Sequence, residues 1–221
     1  MQKHVHRVRK GEQTRAAIID AALEQAARDG LEGLTIGSLA ERMRMSKSGV
    51  FAHFGSREDL QIAVLKEYER RFAADILAPS LDVPRGLPRL TAMLERWLEK
   101  STREAERGCL WISGAAEYDD RPGAVRDELV AMVRAWKDAL SKAIQLAIET
   151  GELRADTDVS EMIFDIYGVI LVLHHDSRLL ASPSAGERAR FAIGRAIDSR
   201  RSQPSPTIAG ADFHAADRRV A

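Results

Sequence analysis

The chain has 221 residues, with 33 Lys and Arg balanced by 33 Asp and Glu, and a lone cysteine, Cys109. That length can bury a real core in one or two domains, an internal disulfide is excluded, and no apolar run reaches the roughly 18 residues of a membrane span. The basic N-terminus is not followed by an apolar stretch, so it does not read as a secretory signal, and a reducing, cytoplasmic setting is expected.

Sparse aromatics with abundant Ala, Leu, Arg and Glu favour an all-α protein. The zero net charge divides unevenly: residues 1–57 hold 10 basic and 6 acidic side chains, and residues 58–221 hold 23 and 27. The excess of positive charge therefore sits at the N-terminal end. Lys3, Arg7, Arg9, Lys10 and Arg15 lie at or before the start of a first helix, an arm suited to phosphates or a minor groove, or else a solubilising tail.

From residue 35 the sequence spells cap, helix, turn, cap, helix, stop. Thr35 is a good N-cap, and Ile36, Leu39, Ala40 and Met43 give the second helix an apolar face. The turn Met43–Met45 carries neither Gly nor Pro, so it is tight. Ser46 caps a third helix whose apolar stripe is Val50, Phe51 and Phe54, and Gly55 stops it. Ser56 then caps a fourth helix, with Asp59 placed three residues on, close to a capping box.

Lys47, Ser48, Gly49, Ala52 and His53 are left on the outer face of the third helix. Its N-terminus, Ser46 to Gly49, suits a phosphate. Small Gly49 and Ala52 permit close approach to a groove wall, and Lys47 can meet a phosphate or a guanine edge. This is a helix-turn-helix built to read double-stranded DNA.

Residues 11 to about 65 resemble the DNA-binding domain of the TetR family of bacterial transcriptional regulators. The resemblance rests on Thr14 to Ala22 of helix 1, Gly30 to Ile36, Ser46 to Phe54, and Ser56 to Leu60. It departs from the family at His53, where Tyr is more usual, and at Ala52, where a bulkier residue is usual. The resemblance implies DNA contacts from Arg15, Thr35, Ser46, Lys47, Ser48, Gly49, Ala52, His53 and Arg57, of which Arg15 lies on the family's backbone-contacting first helix.

Past residue 60 a run of longer helices is predicted, about nine in all. Leu60, Val64, Tyr68 and Phe72 mark a fourth helix ending before Pro79; Leu87 to Leu98 mark a fifth; Cys109 to about Tyr118 a short sixth; Val125 to Ala147 a long seventh. The eighth, about 158–181, is apolar nearly all round, so a second subunit is its economical cover. Phe191, Ile193 or Gly194, and Ile197 of the ninth, about 185–200, are expected to complete that interface. The chain thus divides into a helix-turn-helix domain with its basic arm (1–57), a regulatory and dimerisation domain (58–201) and a tail (202–221) predicted to be disordered.

The TetR resemblance implies a homodimer through the last two long helices and a pocket for a small-molecule effector. Candidate pocket residues are Trp97, Cys109, Trp111, Tyr118, Trp136, Asp165, Tyr167 and His174. Most fit a buried apolar stripe equally well. Asp165, amid apolar neighbours, needs an Arg or His across the dimer or a ligand. The adjacent pair His174 and His175 points to different helix faces, which disfavours a metal site, and Glu117 beside Asp119 and Asp120 reads as capping. No phosphate loop, nucleophile elbow or metal-spaced Cys/His set is present, so no enzymatic activity, cofactor or metal is expected. The expectation is a dimeric repressor released from a palindromic operator by a ligand; the alternative is a ligand-independent activator or nucleoid-associated regulator.

Overall fold

A computed structural model describes residues 2–202, with side chains for 11–104 and 107–202. The predicted tail, but for Ser202, and the side chains of the basic arm lie outside these. Nine helices make up the described chain, with no strand and one isolated bridge between Leu153 and Arg201. They are α1 (Gln2–Asp29), α2 (Ile36–Met43), α3 (Lys47–Phe54), α4 (Arg57–Phe72, continuing to Leu81), α5 (Leu87–Arg107), α6 (Leu110–Tyr118), α7 (Ala124–Glu149), α8 (Val159–Arg178) and α9 (Ala185–Asp198).

Two boundaries differ from expectation. Helix α1 begins at Gln2, so Lys3, Arg7, Arg9 and Lys10 stand on its first turns rather than before it. The segment has no Pro, and Gly11 alone does not break it. Helix α4 does not end before Pro79. A π turn, Ala73–Leu77, widens it, and the final Ala78–Leu81 turn holds Pro79 near its start, where a missing N–H costs little.

The N-terminal domain packs Ile18, Ala22 and Ala26 of α1 against Leu39, Val50, Leu60 and Val64. Buried Gln25 ties α1 to α2, donating to Ser38 Oγ at 2.8 Å and to the Gly33 carbonyl at 3.2 Å. The second domain is centred on aromatic edges. Phe72 meets Trp111 at 4.7 Å and Trp136 at 4.9 Å, and Trp97 meets Trp136 at 5.1 Å and Tyr167 at 5.3 Å, geometries that aromatic quadrupoles favour.

Helix α6 bolts the two domains together. Glu117, expected to cap a local turn, instead accepts the Glu32 N–H at 2.8 Å across 85 residues. Tyr118 donates to Glu32 Oε1 at 2.5 Å and accepts from Gln61, whose amide also donates to the Leu31 carbonyl. Just before α6, Gly108 (φ 108°) lies so close to α1 that a Cβ there would stand 1.6 Å from the Ala27 carbonyl oxygen. Only glycine fits that approach.

Helix α8 starts from Asp158, whose side chain accepts from the N–H groups of Ser160 and Glu161. Its inner face buries Met162, Ile166, Ile170 and Leu173. Its outer face leaves Phe164 78% exposed with Leu171 and Val172, and α9 adds Phe191 at 68%. Ile193 and Ile197, expected at an interface, are instead buried against their own chain. Asp165 finds neither of its expected partners: Arg200 returns past the end of α9 and donates to it at 2.7 Å within the same chain.

Candidate nucleic-acid interface and effector cavity

Three side-chain caps set the helix-turn-helix. Thr35 Oγ1 accepts from the Ser38 N–H at 3.1 Å, Ser46 Oγ from Gly49 N–H at 3.0 Å, and Ser56 Oγ from Asp59 N–H at 3.0 Å while donating to the Asp59 carboxylate. The turn is made by Arg44 in the left-handed region (φ 52°), with the Met45 N–H closing back on Ala40. Gly55 (φ 82°) stops α3.

The exposed surface of α3 carries Lys47, Ser48, Phe51 and Ala52, with His53 half-buried against Phe54. Phe51 was expected in the core stripe, but the short helix turns only Val50 and Phe54 inward, leaving Phe51 52% exposed. It shares the exposed face of α3 with Lys47, as its spacing of four implies. Arg44, exposed at the turn, joins the same surface.

Thr35 and Lys47 converge on one spot. A Cβ on Gly37 would lie 3.7 Å from Lys47 Nζ and 3.8 Å from Thr35 Oγ1. A cation laid over the positive end of α2 is poorly matched to the helix dipole until an anion sits between them, which is what a phosphate oxygen supplies. Ser46 and Ser48 hydroxyls lie 3.1 Å apart at the start of α3.

Two predicted contacts have other duties. Arg15 holds its guanidinium 5.1 Å over the Phe54 ring, bracing α3 while its head stays exposed. Arg57 donates to the carbonyls of Leu34 and Glu32, fastening α4 to the loop ahead of α2.

The second domain holds a partly open cavity of about 290 Å³. Of the predicted pocket residues, Trp97, Cys109, Trp111 and Tyr167 line it. Trp136 stands outside the lining, packed on Phe72 and Trp97; Tyr118 faces a separate groove; Asp165 is paired with Arg200; and His174 lines an adjoining shallow groove with Ile112 and Leu171. Sequence reasoning missed Tyr68, Phe72, Glu104 and Lys137. Tyr68 and Phe72 were visible as an apolar stripe, but nothing in a stripe distinguishes a core from a cavity wall.

The polar groups around the cavity are unequal. Tyr68 donates to Glu104 at 2.8 Å, and Glu104 also pairs with Lys100 at 3.1 Å. Burial pushes the Cys109 thiol up to about 12, so it stays neutral and unreactive. Burial also raises Tyr68 and Tyr167 well above the ordinary tyrosine range. His174 is pushed down, by burial and then by Arg178. A larger groove of about 840 Å³ runs beside α1, but it is open, and of its charged side chains Arg28 pairs with Asp29, Arg71 with Asp20, and Lys100 with Asp75.

Comparison with known proteins follows the same division. Residues 18–64 match "Bacterial regulatory proteins, tetR family", and residues 86–193 match "Tetracyclin repressor-like, C-terminal domain". The transcriptional regulator AcuR of Cereibacter sphaeroides is 25% identical over 146 residues, 64% of this chain and 66% of its own length, so the match spans about two thirds of that relative. A TetR regulator from Chloroflexus aurantiacus superposes with a TM-score of 0.75 at 23% identity, covering 87% of this chain and 98% of the other. A regulator from Saccharomonospora viridis, solved in complex with choline, superposes with a TM-score of 0.73 at 16% identity over 87% of this chain and all of the other. The helix-turn-helix, the nine-helix order and both family matches agree, and the chain belongs to the TetR family of bacterial transcriptional regulators.

Proposed function

We propose that the protein is a dimeric repressor, released from a palindromic operator when a small molecule enters the cavity lined by Trp97, Trp111 and Tyr167. The observation that carries this reading is the double duty of α6. One side of this nine-residue helix, at Trp111, Ile112 and Ala115, lines the cavity. Its end, at Glu117 and Tyr118, grips Glu32 in the loop that feeds α2. A ligand that moves α6 moves the reading head, because packed interfaces shift between discrete arrangements rather than bend smoothly. Gly108 against Ala27 gives the start of α6 a second contact with α1.

The exposed Phe164, Leu171, Val172 and Phe191 support the dimer. Large apolar side chains left exposed on two helices that pack together mark an interaction surface. A two-fold pair would set two α3 helices about 34 Å apart, one turn of DNA. The choline-bound neighbour supports a ligand-holding second domain.

A gel shift with the DNA upstream of the protein's own gene tests the reading. It should give a salt-sensitive, sequence-selective complex that an effector dissolves. Absence of selectivity contradicts DNA reading, and a selective complex that no ligand affects, across a thermal-shift panel, favours the ligand-independent alternative.

A further inference from the structure

The cavity lining holds two neighbouring donors, Trp111 and Tyr167, that are poorly satisfied among the described residues. The Trp111 indole N–H and the Tyr167 hydroxyl are both buried and lie close enough to interact with each other, yet neither completes a well-formed hydrogen bond among the described residues, and Trp111 is only 6% exposed. Buried donors are ordinarily well paired, so a Trp111 N–H with only the Tyr167 oxygen near it, and a Tyr167 O–H with no acceptor among the described residues, mark where a ligand oxygen belongs. An indole N–H can only donate, which fixes the sign of its partner: an acceptor. Lys137 brings a third donor and a positive charge, its Nζ 4.8 Å from the centre of the Tyr167 ring.

Acceptors are scarce on the same walls. Glu104 is the one carboxylate in the lining among the described residues, and it already receives Tyr68 and pairs with Lys100. The remaining surface is made mostly by rings and branched aliphatics, chiefly Phe72, Trp97, Val133 and Ile170. About 290 Å³ lies near the lower end of small-molecule sites, roughly 300–1,000 Å³. Aromatic walls alone would also suit a quaternary ammonium. Here Lys137 already covers the Tyr167 ring, and its positive charge opposes a second cation.

We propose that the effector is a compact aromatic carbonyl compound, an aryl ketone or aryl carboxylate, whose oxygen accepts from Trp111 and Tyr167 while its ring packs against Phe72 and Trp97. This rests on the reading of the cavity as the effector site. Lys137 favours the carboxylate within that class.

Full-length protein is titrated with acetophenone, benzoate, toluene and phenyltrimethylammonium, followed by tryptophan fluorescence and thermal shift. Dissociation of upstream DNA is measured in parallel. Acetophenone or benzoate should bind at least about tenfold more tightly than toluene or the ammonium, the margin of one or two buried hydrogen bonds. Tyr167→Phe should cut that margin to a few-fold while leaving toluene binding in place, and Trp111→Phe should do the same. Tyr167→Phe preserves ring and volume, so it carries the test if Trp111→Phe folds poorly. Equal binding of toluene, preference for the ammonium, no binding by either carbonyl probe, or a margin untouched by Tyr167→Phe overturns the proposal. Selective binding of the carbonyl probes without release of DNA upholds the ligand class and contradicts the repressor reading instead.

Discussion

Lys47 and Phe51 share the exposed face of α3, the proposed reading face, and they should fail differently when removed. Lys47→Ala should weaken all DNA and lower the salt slope by about one if its ammonium meets a phosphate beside Thr35; if it reads guanine, selectivity at one position should relax by about 1–3 kcal/mol. Fluorescence anisotropy at several salt concentrations separates the two, and an unchanged profile would remove Lys47 from the interface. Phe51→Ala should leave stability nearly unaltered, because the ring is half exposed, yet weaken operator binding. Glu67 makes a prediction about acid. Hydrogen bonding to Arg70, and then to Arg71, overcomes partial burial and holds its carboxyl at about 2, below the ordinary 4.5. A depressed folded value stabilises above the ordinary value and is lost as pH falls toward 2. Arg70 is well exposed, so screening leaves about 1 kcal/mol, and Glu67→Gln should flatten the stability profile between about pH 5 and 2 in urea unfolding.

At the scale of elements, α6 and its approach carry the proposed coupling. Gly108→Ala should cost about 2–4 kcal/mol in denaturant unfolding, since its methyl meets the Ala27 backbone rather than a movable side chain. Tyr118→Phe should cost about 1–2 kcal/mol by stripping a donor from Glu32 and an acceptor from Gln61. Much of this architecture was legible beforehand. Caps at Thr35, Ser46 and Ser56 declare themselves by residue type at fixed spacing, and all three close as their chemistry requires. The long helices show their apolar periodicity. Partnerships across distance were not legible: Glu117 looked like a local cap because nothing in its neighbourhood names Glu32, 85 residues away. Asp165 looked unpartnered for the same reason, since Arg200 lies 35 residues on. Phe51 misled because a helix of eight residues has too few turns for one extra aromatic to reveal its face. The cavity was half visible: ring-bearing residues could be named, but which of them face space and which, like Trp136, fill it depends on packing.

The whole molecule joins a basic N-terminal head to an acidic C-terminal part, and its apolar outer face on α8 and α9 is where a second copy is expected. Phe164→Glu together with Phe191→Glu should convert a dimer of about 49 kDa to monomer by light scattering at micromolar concentration, because charge on a desolvated apolar interface is not tolerated. A double mutant that remains dimeric would move the interface elsewhere. The most direct test of the account is an anisotropy titration of the intact protein against a duplex from upstream of its own gene, set beside an unrelated duplex of the same length. Two chains bound per site, strong preference for the upstream duplex and steep weakening with salt are the predicted result. Equal affinity for both duplexes, or no binding to either, would contradict it.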